Sequence, residues 1–244
     1  MLKKVKFSFA DKRSLAAKSI EATPIGVDLS KMVVSKPWGY EYLLTETPLV
    51  EVWHLSLEHL KSTSTHCHPN KKTALIVLEG RALFSTLNNE IRLKPLDAIA
   101  IDAGVFHSTK CVSKKGLSLI EIETPPMKHD LVRLKDKYGR ANMGYEGKEK
   151  MKLINSSYVK FKSEKTSAVK KIGDKHLRIS FIQGIEDLNK LIFQKVKVAV
   201  ILNGFIKSQQ NKILYQVGDV LETKILKNKN LKFNNVSLFS ISKT

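Results

Sequence analysis

Three histidines stand at spacings that suit metal chemistry. His66 and His68 are two residues apart in the stretch STHCHPNKKTALIVLEG, residues 64–80, so on an extended strand both imidazoles leave one face. His107 closes a second stretch, DAIAIDAGVFH, residues 97–107, in which an apolar strand meets a turn at Asp102-Ala103-Gly104. Two imidazoles from one strand and a third from a later one form a facial set of neutral nitrogen donors. Such a set suits a divalent first-row metal: zinc, manganese, iron or nickel. Thr73, which follows on the next strand, offers a neutral hydroxyl that makes a poor ligand. A dication held by three imidazoles keeps open positions and its full charge, which favours a bound anion. The alternative is a metal site that has been lost.

Groups able to move protons or touch a substrate lie nearby in the strand pattern. Glu121 and Glu123 share one face of a closing strand and either line the cavity as proton shuttles or stand on an exposed edge. His54 is assigned the parity of an inward residue, as a catalytic base or a hydrogen-bonded core histidine. Lys71, Lys72 and Thr73 stand next to the histidines, where Lys71 and Thr73 are candidate substrate contacts; the two lysines read equally as turn residues. Cys67 alternates away from the histidines, and Cys111, with the parity of His107, reads as small core filling.

The elements that must position these groups are short strands. After an N-terminal arm (1–35), with a helix expected from Asp11 to Ala22 and Asp11 as its cap, strand signals recur at regular spacing from Val33 to Thr124 with turn residues between them. That pattern reads as an all-β barrel of jelly-roll type over 36–148. The remainder, 149–244, looks like a weak internal repeat. Val198–Gly204 echoes Ala74–Gly80, the stretch around Gly218-Asp219 echoes that around Asp97, and Phe233–Ile241 echoes Ser118–Ile122. The positions matching His66, His68, His107 and Thr73 are Lys190, Ile192, Lys229 and Lys197, which cannot build a metal site.

The histidine stretches resemble the double motif of the cupins: H-x-H, an acidic ligand, Gly, then Asp, a Pro-x-Gly turn and a final His. His66, His68, Gly80, Asp97, Gly104 and His107 fall on that pattern, with Thr73 at the acidic position and Asp102 at the proline. The flanks are similar to the phosphomannose isomerase domain of bifunctional mannose-1-phosphate guanylyltransferases. Lys36-Pro37-Trp38-Gly39 matches R-P-W-G, and DLVRLKDKYGR, residues 130–140, matches D-I-V-R-x-x-D-x-Y-G-R. The resemblance covers roughly residues 35–145. It implies a double-stranded β-helix, and the echo in 149–244 then makes the chain a bicupin with a degenerate second barrel, the alternative being an unrelated β-rich extension. It also implies a metal-dependent mannose-6-phosphate type isomerase of polysaccharide precursor metabolism, with Arg140 holding the phosphate or assisting proton transfer as a catalytic residue. A guanidinium fork fits a phosphate, though it fits Asp136 equally well. Two other readings stay open: a three-histidine oxygenase or lyase on a small acid, and a non-catalytic cupin that binds a sugar or an anion.

Composition bounds the partners. Lys and Arg outnumber Asp and Glu by 42 to 23, for a net charge of +19. The charge is scattered and mostly lysine, so it reads as composition rather than a nucleic-acid surface. No apolar run has membrane length, no secretory leader follows Met1, and two cysteines are too few for a disulfide scaffold. The expected setting is the cytoplasm, with a small-molecule sugar phosphate or other anion as ligand, no nucleic-acid or membrane partner, and a homodimer by analogy with cupins.

Overall fold

The structure, a computed structural model, describes residues 1–18, 26–141, 143–161, 167–228 and 230–243. The chain opens with β1 (Leu2–Val5) and α1 (Phe9–Ala16), then β2 (Met32–Lys36), β3 (Gly39–Glu46), β4 (Glu51–Leu57) and β5 (Thr65–Cys67). There follow β6 (Lys72–Glu79), β7 (Ala82–Thr86), β8 (Glu90–Leu93), β9 (Ala98–Ile101), β10 (His107–Cys111), β11 (Leu117–Thr124), β12 (Val132–Lys135) and β13 (Met151–Leu153). The second half holds β14 (Ala168–Ile172), β15 (Lys175–Ile182), α2 (Ile185–Phe193) and β16 (Val196–Lys207). It ends with β17 (Ile213–Gln216), β18 (Val220–Glu222), α3 (Thr223–Leu226) and β19 (Lys232–Lys243).

An eight-stranded sheet, β1-β9-β6-β11-β4-β3-β2-β13, faces a five-stranded sheet, β12-β5-β10-β7-β8. Trp53, Leu55, Leu75, Val77, Phe84 and Leu119 fill the space between them. This is the all-β, double-stranded β-helix that the strand spacing implies. The other face of the eight-stranded sheet, carrying Tyr42, Val52, Ile76, Ile120 and Ile122, packs on Leu177, Ile179, Val200, Phe239 and Ile241 of a third sheet. Buried on both faces, β6 reads as a continuous apolar run rather than an alternating one. Full burial of each such side chain stabilises by about 1.5–3 kcal/mol.

The third sheet repeats half of the barrel. Its order β15-β19-β16-β18 follows β4-β11-β6-β9 strand for strand. The turns agree in detail. Leu96 N–H donates to Val77 O (2.8 Å) and Val77 N–H to Asp97 O (3.0 Å), while Gly218 N–H donates to Ile201 O (2.9 Å) and Ile201 N–H to Asp219 O (3.1 Å). Asp97 accepts from Lys94 N–H at 3.1 Å and Asp219 from Gln216 N–H at 2.9 Å. What differs is the connections. Between β4 and β6 runs β5, and between β9 and β11 runs β10; the matching connections of the second half carry α2 and α3. Leu188 and Leu191 of α2 and Leu226 of α3 cover Ala199, Ile201, Leu221 and Leu238. Among the described residues the expected second barrel is therefore one sheet backed by helices. Lys190 and Ile192 fall on α2, Lys197 on β16, and Lys229 outside the described residues.

The arm lies on its own barrel. β1 runs parallel to β9, and α1 starts at Phe9 with Ser8 as its cap. Asp11 is thus not the cap but its partner: Asp11 N–H donates to Ser8 Oγ and Ser8 N–H to Asp11 Oδ2, at 3.3 and 2.9 Å. The expected helix residues beyond Lys18 lie outside the described residues. No described helix is long and apolar enough to cross a membrane.

Candidate metal centre

Strand pairing brings the histidines together. His66 on β5 and His107 on β10 are direct register partners, and His68 follows His66 on the same face. Ring centroids lie 4.6 Å apart for His66–His107, 5.0 Å for His66–His68 and 5.7 Å for His68–His107. His107 stacks on Phe84 at 5.7 Å and 18°.

All three rings are anchored in one sense. Nδ1 of His66 bonds Ser64 O at 2.9 Å, Nδ1 of His68 bonds Asp130 O at 2.6 Å, and Nδ1 of His107 bonds Val105 O at 3.0 Å. A carbonyl only accepts, so each Nδ1 carries the proton and each Nε2 presents a lone pair. Burial holds all three imidazoles neutral, His107 at about 4 and the other two well below their ordinary range. One donor nitrogen from each ring lies within 4.8 Å of the others, and His68 Nε2 is buried without a partner. Neutral nitrogens that converge, fixed from behind by carbonyls, fit a divalent metal. Among the described residues no Asp, Glu or Cys joins them.

The turns that carry the rings are clamped. Asp130 Oδ2 accepts from Asn70 N–H (2.9 Å) and Lys71 N–H (3.1 Å), closing the turn after His68. Gly104 N–H donates to His68 O at 2.8 Å, and Asp11 Oδ1 accepts from Phe106 N–H at 2.9 Å, so the arm steadies the turn before His107. Gly104 takes φ +79°, and a Cβ there would meet the Phe7 ring at 2.7 Å.

His66 and His68 open into a cavity of about 480 Å³, part of it open to solvent, whose lining is rich in charge. Glu121 and Glu123 both face it from β11. Lys71, 1% exposed, places its amine 2.5 Å from Glu123 Oε2, and Lys128 lies 2.7 Å from Glu123 Oε1 and 3.9 Å over the Trp53 ring. Burial would raise the Glu123 carboxyl, but Lys128 and Lys71 outweigh it and hold it below its ordinary value. Glu121 is paired more loosely, 3.8 Å from Lys128. Burial pushes its carboxyl up to about 7, opposed by Lys128 and reinforced by Glu123 and Glu41. Two carboxylates two residues apart are thus tuned apart, one a fixed anion and one poised near neutrality.

Several expected positions differ. His54 is not in the cavity. It faces the third sheet, with Nε2 2.8 Å from Ser118 Oγ and its ring 5.0 Å from that of Tyr42, because the bulky Trp53, Leu55 and Leu57 take the inward positions of β4. Thr73 is buried opposite Ile101 and Glu123 but does not line the histidine cavity. Lys71 is no surface turn lysine. Arg140 reaches the cavity wall, yet Asp136 at 2.8 Å and Glu146 engage its guanidinium. Arg133, opposite His66 on β12, is the arginine next to the histidines. Cys67 packs outside the barrel with Phe106 and Val132, and Cys111 inside it. The sequence reading missed Lys36, Glu41, Lys128, Tyr145 and Glu146. Charged residues at inward positions, such as Glu41 two before the core Leu43, were the available signal.

Residues 53–123, which span all three histidines, match the Cupin domain family. The matched stretch runs from β4 to β11, within the double-stranded β-helix. No curated protein sequence matches the chain. Among solved structures, the chain is similar to KdgF from Halomonas sp. at 16% identity and TM-score 0.35, over 36% of this chain and 81% of that one. It is similar to the capsular polysaccharide assembling protein CapF from Staphylococcus aureus at 16% identity and TM-score 0.39, over 43% and 34%. It is also similar to the DMSP lyase DddQ from Ruegeria pomeroyi DSS-3 at 17% identity and TM-score 0.35, over 38% and 50%.

Proposed function

We propose that this protein is a metal-dependent cupin enzyme that moves a proton between adjacent carbons of a small hydroxylated anion, as in aldose–ketose isomerisation of a sugar phosphate of the mannose-6-phosphate type. The observation that carries this reading is Glu121, a carboxyl poised at about 7 in the cavity that the histidines open into. Isomerisation requires one group that takes a proton from one carbon and returns it to the next, and a base is most effective with its pKa near the working pH. His66, His68 and His107 would hold a divalent metal, which when bound polarises a substrate carbonyl and acidifies the neighbouring C–H. Lys128 steadies Glu121 as an anion after it gives its proton back. Lys71 and Arg133 supply positive charge for the substrate's anionic group.

The test is hydrogen–deuterium exchange in D₂O with metal-replete protein and hexose 6-phosphates, followed by NMR. Interconversion with deuterium entering at C1 or C2 is expected. Glu121→Gln should lose roughly 10²–10⁴-fold in rate with its metal content kept. Absence of exchange on every aldose and ketose phosphate, or a fully active Glu121→Gln, would overturn the isomerase reading. One observation favours a second reading. With Arg140 bound to Asp136 and Glu146, the arginine nearest the histidines is Arg133, a position suited to a small carboxylic acid and hence to lyase chemistry.

A further inference from the structure

Across the five-stranded sheet, Arg133, His66, His107 and Thr86 are successive register partners on β12, β5, β10 and β7. Directly opposed residues share a face at about 4.5–5.5 Å between Cβ atoms, so the guanidinium stem starts beside His66. Arg133 is 5% exposed. Its Nη1 donates to Met143 O and Gly144 O, its Nη2 stands 3.7 Å from Glu146, and its Nε is buried without a partner. Lys71, buried on the segment after His68, is the second cation of this wall.

Most of the cavity's carboxylates are already committed to cations, and Glu121 is the loosely paired one, 3.8 Å from Lys128. The ligand position where an acid is expected is Thr73. Glu123 already bridges Lys71 and Lys128, and Glu146 is engaged by Arg140 and Lys36. A dication on three neutral imidazoles would put two more positive charges beside Arg133, whose nearest carboxylate, Glu146 at 3.7 Å, is shared with Arg140 and Lys36. Uncompensated buried charge is strongly unfavourable. A small oxyanion entering with the metal removes that cost and gives the free Arg133 Nε an acceptor.

We infer that the histidine site takes up a divalent cation and a small oxyanion, a carboxylate or phosphate oxygen group, as a coupled pair, with Arg133 as the anion's donor from the protein. This rests on the metal reading given under Proposed function. Linkage makes the coupling reciprocal: the factor by which anion tightens metal equals the factor by which metal tightens anion.

The experiment is calorimetric titration of Co²⁺ into the full chain in chloride, in acetate and in inorganic phosphate at matched ionic strength, and the reverse titration of each anion with and without Co²⁺. Saturating acetate or phosphate should tighten Co²⁺ by roughly 5–150-fold, with the same factor in reverse. The stronger of the two arms names the oxyanion class. Arg133→Gln should abolish the coupling and leave the affinity in chloride equal or higher, because a repelling cation is gone; a merely structural role would lower it. Equal Co²⁺ affinity in all three salts would overturn the inference and leave the metal reading standing. No Co²⁺ binding in any salt would overturn both. Where Arg133→Gln fails to fold, the wild-type comparison still decides the coupling and Arg133→Lys, which keeps a cation but removes Nε, decides the donor: coupling undiminished in Arg133→Lys or Arg133→Gln would overturn the role of Arg133.

Discussion

The two halves of this chain are built on matching sheets and differ in what closes them. In the first, β5 and β10 complete a barrel and carry His66, His68 and His107 inward; in the second, α2 and α3 occupy those connections and bring leucines instead. The shared strands, down to the Asp97 and Asp219 turns, give the fold, whereas the candidate metal ligands come from the two short strands, and the turn after one of them, that have no counterpart among the described residues of the second half. A candidate site thus stands on connections that the fold tolerates losing.

Core truncations on the two sides should separate folding from binding most strongly. Phe84→Ala, beneath His107, and Leu221→Ala, beneath the helices of the second half, should each destabilise by about 2–5 kcal/mol in urea unfolding. Only Phe84→Ala should also weaken metal, by roughly 10–100-fold, because it frees a ligand ring. Equal effects on metal would mean that the second half shapes the site.

The seam between the halves should titrate. His54 is held neutral at about 4 by burial, against an ordinary value of 6.5. A depressed folded pKa means that its contribution is complete above the unfolded value and is lost as pH falls from about 6.5 towards 4, by roughly 3 kcal/mol in all. His54→Gln should be less sensitive to acid than wild type over that window, as read by urea midpoints at several pH values. A wild type and variant with parallel pH profiles would place His54 in water.

The smallest expected effect sharpens the repeat itself. Asp219→Ala removes the acceptor of Gln216 N–H and should cost about 1 kcal/mol, and Asp97→Ala, which also removes the acceptor of the Met1 amine, should cost somewhat more. A large cost at Asp97 with none at Asp219 would show that the second turn is ornamental.

Much of this was legible in the residues. The H-x-H spacing and His107 pointed to the histidine cluster, because short-range alternation on a strand fixes direction; for Glu121 and Glu123 the residues gave a shared face but not which side it takes. The side chosen by His54 was not legible: both faces of β4 are buried, one by the barrel and one by the third sheet, so its pattern does not alternate cleanly. Lys71 and Arg140 were hidden for another reason. Lys71 sits in a polar stretch that reads as a surface turn, and only Glu123, 52 residues on, explains its burial. For Arg140 a pairing with Asp136 was readable four residues away, but Glu146 joined it only in the folded loop. The helices that replace two strands of the second half were invisible in an echo defined by its shared strands.

Metal retained per chain after Co²⁺ loading in acetate and dialysis, measured for wild type and His68→Ala, bears most directly on the division of labour between the halves. One equivalent in wild type and none in a folded His68→Ala is the expected result, with the single site in the first half. No metal in wild type, or an equivalent kept by His68→Ala, would contradict it.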